Sequence, residues 1–162
     1  MGEAAPQGLI LRPLVDADLE RVCSIERDWS GTPWSRGLFE EELRRPEICH
    51  WLVLVPGPAL AAGAGQAVAA YGGFWKAVDE AHFTNIAVHA DWRRRGLGRA
   101  LLAALLERAK RLGCVSATLE VRPSNTAALA LYQGQGFTAA AMRPHYYTDD
   151  GEDALILWKR GL

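Results

Sequence analysis

Cysteine is scarce in this chain of 162 residues: only Cys23, Cys49 and Cys114 occur. The number is odd, the spacing is wide and no Cys-x-x-Cys is present, so neither a disulfide framework nor a zinc site is supported. Each cysteine sits among apolar neighbours and reads as a small core residue. The four histidines, His50, His82, His89 and His145, share no metal-ligand spacing; they read as surface residues, and no metal is expected. Long hydrophobic runs are missing. None reaches the ~18 residues a membrane span needs. Met1 to Gln7 lacks a basic stretch followed by an apolar one, so the expected location is cytoplasmic. An excess of either charge is also missing. The net charge of −1 excludes a general nucleic-acid binder, which would be far more basic. There is no internal repeat. The length predicts a single domain over residues 1–162, with its core from about 8 to 160.

What is present is ordinary in amount and uneven in place. Apolar residues make up 49% and charged residues 23%, as in soluble globular proteins. Residues 92–111 hold seven Arg or Lys and one Glu, a local +6 that leaves −7 elsewhere. A basic island on a mildly acidic body suits an anionic ligand. Periodicity predicts a strand over 8–15, a helix capped by Asp16 and running to Trp29 with a mixed face of Leu19, Val22, Cys23, Ile25 and Glu26, and a second helix capped by Ser35. A strand over 48–55 leads to a flexible Pro56–Gly65 hairpin tip, and strands follow over 66–76 and 80–88. A helix over 97–112 carries Leu97, Leu101, Leu105 and Ala109 at i+4 spacing. Then come a strand over 115–121, a short helix opened by Ser124 or Asn125, and strands near 137–142 and 153–159. This order predicts an α/β fold of α+β character: a central mixed sheet flanked by helices, with the strands on either side of the 97–112 helix parallel.

The densest signal is Asn85-Ile86-Ala87-Val88 followed by Arg93-Arg94-Arg95-Gly96-Leu97-Gly98-Arg99. A β-branched run ends, arginines gather, and two glycines precede a helix. Helix N-termini offer unpaired N–H groups and partial positive charge. Gly96 and Gly98 let the backbone approach phosphate oxygens, and arginines add charge-assisted bonds. Two phosphate loops are excluded. A dinucleotide loop would need glycine where Leu101 stands, and a nucleoside-triphosphate loop needs a Gly-Lys that the chain lacks. A cluster of arginines is otherwise a solvated face.

The strand Val115–Arg122 alternates. Val115, Ala117, Leu119 and Val121 share one face; Ser116, Thr118, Glu120 and Arg122 share the other. Glu120 therefore lies near the carboxyl end of a strand, where ligands sit in open α/β sheets. Tyr132 follows Asn125 by nearly two helical turns, so both project to one side. Taken alone, a sheet glutamate is commonly just exposed, and a tyrosine commonly packs in a core.

Leu119-Glu120-Val121-Arg122-Pro123-Ser124-Asn125, Leu131-Tyr132 and Gly136-Phe137 resemble the bacterial ribosomal-protein-alanine N-acetyltransferase family of the GNAT superfamily. So do Asn85–Val88, Gly96–Leu102, Pro33-Trp34-Ser35 and Tyr146-Tyr147. The resemblance implies the GNAT fold and acetyl-coenzyme A (acetyl-CoA) as co-substrate. It implies that the backbone of Ile86, Ala87 and Val88 pairs with the pantetheine arm, with the Val88 N–H facing the thioester carbonyl. It places the pyrophosphate on Arg93, Arg94, Arg95, Gly96, Leu97, Gly98 and Arg99, and the coenzyme arm on Asn125. It makes Glu120 the general base and Tyr132 the general acid. It sets Trp34, Tyr146 and Tyr147 around the incoming peptide.

The expected acceptor is a protein N-terminus, first that of a ribosomal protein beginning with alanine. Another N-terminus, a lysine or a small amine is the alternative, and a non-catalytic acyl-CoA-binding module is a third reading. An α-amine, with pKa about 7.7–8.0 against about 10.4 for lysine, loses its proton more readily near neutral pH. The segment from Tyr147 to Glu152 is about two residues shorter than the family pattern, which bears on peptide specificity. Its acidic cluster, Asp149, Asp150, Glu152 and Asp153, reads either as a site for a basic second residue or as a solvated turn.

Overall fold

The computed structural model describes Ala5, Pro6 and residues 8–61 and 67–162. The reading of the chain start and the tip of the Pro56–Gly65 hairpin fall partly outside these residues. The strands are β1 (Leu9–Pro13), β2 (Cys49–Pro56), β3 (Ala70–Ala77), β4 (Glu80–Val88), β5 (Ser116–Val121), β6 (Thr138–Arg143) and β7 (Ala154–Arg160). The helices are α1 (Leu19–Trp29), α2 (Arg36–Leu43), α3 (Leu97–Arg111) and α4 (Thr126–Gly134).

The seven strands form one sheet in the order β1-β2-β3-β4-β5-β7-β6. Every neighbouring pair is antiparallel except β4 and β5, which run parallel across α3 as the sequence pattern predicts. Strand β2 shows why both faces are covered. It is buried along its whole length. Leu52 and Leu54 pack toward α3, while Trp51, Val53 and Val55 pack toward α1 and α2. On the α3 side, Leu101, Leu102 and Leu105 are fully buried; cutting one of them to alanine costs about 2–5 kcal/mol. Among the described residues no helix is long and apolar enough to cross a membrane.

Two local expectations are corrected. Asp16 does not cap α1. A short 3-10 turn covers Asp16–Asp18, and α1 begins at Leu19. Asp18 secures this turn instead. Its carboxylate accepts the Val15 N–H at 3.0 Å and a two-pronged ion pair from Arg12 at 2.7 and 2.8 Å. Val115 is not on the core face of β5 but exposed, because the strand starts one residue later. Ser35 caps α2 by accepting the Leu38 N–H, and Asn125, rather than Ser124, caps α4 by accepting the Ala128 N–H.

The site follows from one defect in the sheet. β4 and β5 pair only from Glu80↔Ser116 to Phe83↔Leu119. On the other side of β4, Gly73 pairs with Asn85 and Phe74 with Phe83, so Thr84 is an extra, bulged residue. Beyond the bulge β4 stays on β3 but loses β5. Parallel strands that part in this way leave backbone groups with no strand partner.

Candidate active site

The donor wall is the open edge of β4 with the turn into α3. His89 donates its N–H to the Ala69 carbonyl at 2.8 Å, and Ala70 faces Val88. Ala70 and Val88 are therefore a non-hydrogen-bonded pair, and the N–H and C=O of Val88 point away from β3 into the gap β5 has left. Ile86 alternates the same way; Ala87 turns its groups to β3. The Arg93 guanidinium donates to the Val88 carbonyl at 3.2 Å, and Arg95 stacks on Trp92 with its guanidinium carbon 5.0 Å from the ring centre. Arg94 has φ 63° and Gly96 φ 78°. A non-glycine residue held there costs of order 1–3 kcal/mol, and such strain gathers at ligand clamps. Gly96 precedes α3 with no side-chain cap, so the first-turn N–H groups are open. A Cβ on Gly98 would stand 3.6 Å from Leu131 and 3.7 Å from Val88, ordinary contacts. The packing does not demand glycine at 98, and its missing side chain leaves a cradle between α4 and β4. This set of donors and spaces fits a pyrophosphate and an extended pantetheine arm.

Next to this wall lies a cleft of about 500 Å³. It brings together Glu120, Tyr132, Asn125, Ile86, Trp34, Tyr146 and Tyr147 from five separated segments. Ala87, Val88 and Arg93–Arg99 do not line it; they form its flank. Glu120 accepts a 2.8 Å bond from His82 Nε2, with Arg143 3.7 Å from its other oxygen. The His82 hydrogen bond holds the Glu120 carboxyl below its ordinary range against the opposing effect of burial. Glu120 is thus a carboxylate at neutral pH. Burial pushes the Tyr132 hydroxyl well above its ordinary range, with Tyr147 adding to the shift, so Tyr132 keeps its proton. The cleft therefore holds a proton acceptor and a proton donor.

The acceptor wall is knitted from side chains. Arg122 sits 3.8 Å from the Tyr147 ring centre and bonds Asp149 at 2.7 Å, Asp150 at 2.9 Å and Glu152 at 3.1 Å. Glu152 also accepts the N–H and hydroxyl of Ser124, both at 2.9 Å. Three of the four acidic residues are thus latched onto Arg122, just past β5, and Asp153 accepts the His145 N–H; the turn is solvent-exposed but tied down. Burial pushes the Tyr147 hydroxyl up to about 12. Across the cleft Gly31 abuts Asp149, where a Cβ would collide with the carboxylate. Trp75 completes an aromatic rim: its ring lies 6.3 Å from Trp34 and 6.1 Å from His82, and its indole donates to Glu42 at 2.7 Å.

Sequence reasoning missed His82, Glu26, Trp75 and the clamp made by Arg122. His82 was readable in part, because it stands in β4 opposite Thr118, on the strand pair that carries Glu120. Nor is His50 a surface residue. It is buried against Phe74, its Nε2 has no partner among the described residues, and burial together with Arg108 and Lys76 lowers its pKa. The cysteines are buried as expected, and burial raises the Cys114 thiol, which leaves it a poor nucleophile.

Comparison with known proteins gives a consistent picture. Residues 19–137 match the acetyltransferase (GNAT) family. The ribosomal protein bS18-alanine N-acetyltransferase of Escherichia coli is 37% identical over 146 residues, 89% of this chain and 92% of its own. The N-alpha-acetyltransferase RimI of Mycobacterium tuberculosis is 36% identical over 146 residues, 89% of this chain and 87% of its own. The crystal structure of the ribosomal-protein-S18-alanine N-acetyltransferase from Escherichia coli superposes with a TM-score of 0.79 at 36% identity, covering 94% of this chain and 93% of that one.

Proposed function

The chain belongs to the acetyltransferase (GNAT) family and is an N-acetyltransferase; on that premise we propose that it moves the acetyl group of acetyl-CoA to a protein N-terminal α-amine, first that of a ribosomal protein beginning with alanine. The observation that carries this reading is the shared cleft, in which an ionised Glu120 and a protonated Tyr132 stand beside the open edge of β4. The substrate class follows the relatives whose names specify ribosomal protein alanine.

Acetyl-CoA supplies the activated acyl group as a thioester. The outward N–H and C=O groups of Ile86 pair with its pantetheine arm like an added strand. The Val88 N–H stabilises negative charge that develops on the carbonyl oxygen. Open N–H groups at the start of α3, with Arg94, Arg95 and Arg99, hold the pyrophosphate. Asn125 faces the arm from the start of α4. Arg93 acts differently from its neighbours: bonded to the Val88 carbonyl, it fixes the end of β4. Glu120 accepts a proton from the acceptor amine, and His82 orients that carboxylate. Tyr132 donates its phenolic proton to the leaving sulfur. No covalent enzyme intermediate is required. Trp34, Tyr146 and Tyr147 line the path of the peptide.

A peptide acetylation assay tests the reading. An Ala-Arg-headed peptide, the same peptide with a blocked N-terminus, and a lysine-containing control are each given acetyl-CoA. Thiol release with the free alanine N-terminus alone is expected. Release with the lysine control alone would overturn the acceptor assignment.

A further inference from the structure

Helix α1 turns Leu19, Val22, Cys23 and Glu26 inward, at i, i+3, i+4 and i+7. The fourth place on this apolar stripe is a carboxylate, and Glu26 is only 1% exposed. It lies at the floor of the cleft, yet the proposed chemistry gives it nothing to do.

Its partners explain why it is a carboxylate. The Asn85 side-chain amide donates to both oxygens at 3.1 Å, and the Trp34 backbone N–H donates to Oε1 at 3.1 Å. The Tyr71 hydroxyl donates to Oε2. That hydroxyl in turn accepts the Trp29 indole N–H at 3.2 Å, so its one proton is directed at Glu26. All these groups are donors, and none carries a charge. Only an acceptor-only group can meet them all; a carboxamide would point its own N–H groups at other donors. A buried carboxylate left without such bonds would be costly, so the network is held as a unit.

The three links join parts of the molecule that serve different substrates. Trp34 belongs to the loop between α1 and α2, on the acceptor wall. Asn85 is the residue of β4 just before Ile86, on the donor wall. We infer that Glu26 is a positioning residue that sets the acceptor groove in register with the donor strand. Its oxygens are fully occupied, so it acts through Trp34 and Asn85 and touches neither substrate. This inference rests on the peptide-acceptor reading above.

The test compares wild type, Glu26→Gln, Asn85→Ala and the double variant. It reads the KM for the Ala-headed peptide, kcat, the calorimetric Kd for acetyl-CoA, and hydrogen exchange at the Trp34 amide. Glu26→Gln is expected to raise the peptide KM about tenfold, or about 1.4 kcal/mol, while the acetyl-CoA Kd stays within about twofold. The Trp34 amide should exchange faster. Asn85→Ala, which keeps the carboxylate and removes only the strand link, should give a smaller split of the same kind. The double variant should be little worse than Glu26→Gln alone, because the two residues share one network. A peptide KM that stays at the wild-type value in both single variants would overturn the positioning role. So would a KM and an acetyl-CoA Kd that rise together, or effects that simply multiply in the double variant. A wild-type enzyme that ignores the free-N-terminus peptide would instead remove the acceptor reading, and the positioning role with it.

Discussion

The two walls of the cleft are built on opposite plans. The donor wall lies within one stretch, Asn85 to Arg99, and works with its backbone: outward groups on Ile86 and Val88, positive φ at Arg94 and Gly96, and an uncapped α3 start. The acceptor wall draws on α1, the α1–α2 loop, β3, β5 and the β6–β7 loop. It works with side chains that satisfy one another: Glu26 under four donor bonds, and Arg122 against three carboxylates. A ligand of constant shape can be held by backbone groups that any side chains leave in place. A groove for a variable peptide must be held by long-range contacts, since no single segment can fix both of its sides.

The contrast is broken most strongly at the point where the walls meet. Glu120→Gln should lower kcat by about 10²–10⁴-fold, while calorimetry finds acetyl-CoA binding unchanged. Normal turnover would remove Glu120 as the base. Next, Gly98→Val fills the cradle between Leu131 and Val88. It should weaken acetyl-CoA binding about tenfold or more, at least 1.4 kcal/mol, before it changes the peptide KM. Arg122→Ala should do the reverse. Loss of the latch on Asp149, Asp150 and Glu152 should raise the peptide KM about fivefold, roughly the net worth of one ordinary hydrogen bond because the pairs are largely exposed, with the acetyl-CoA Kd unchanged.

The smallest effect lies away from both walls, at His50. Its folded pKa is below that of the unfolded chain, so the unfolded state binds the proton first as pH falls. Stability is full above about 6.5 and declines below it. His50→Phe removes an orphaned ring nitrogen and should flatten this decline; thermal melts at pH 7.5 and 5.5 would show it. An equal acid loss in both proteins would remove His50 as its source; the stabilisation from Asp18 is lost only below the ordinary carboxylate range, outside this window.

How much was legible follows the same division. The strand–turn–helix from β4 into α3 could be read directly, because β-branched residues, glycines and an i+4 leucine stripe are local signals. Glu120 and Tyr132 stood out through strand alternation and helical spacing together with the family resemblance. The partner of Glu120 did not: His82 is 38 residues away, and only the parallel pairing of β4 and β5 brings them together. The acidic loop after Tyr147 had two open readings because the ion pair that occupies it spans 27 to 30 residues. From sequence Glu26 reads as part of a mixed helix face, although a carboxylate on an apolar stripe is itself a signal.

The sequence by itself determined the element order, the parallel crossover and the arginine- and glycine-rich turn into α3. These depend on periodicity, glycine and charge within a few residues of each other. Only the tertiary structure decided which charges are free and which are occupied. It tied Arg122 to the acidic loop, His82 to Glu120 and Glu26 to three separate segments. Pairing of this kind is set by where the parting of β4 and β5 brings distant side chains, and no local spacing encodes that distance.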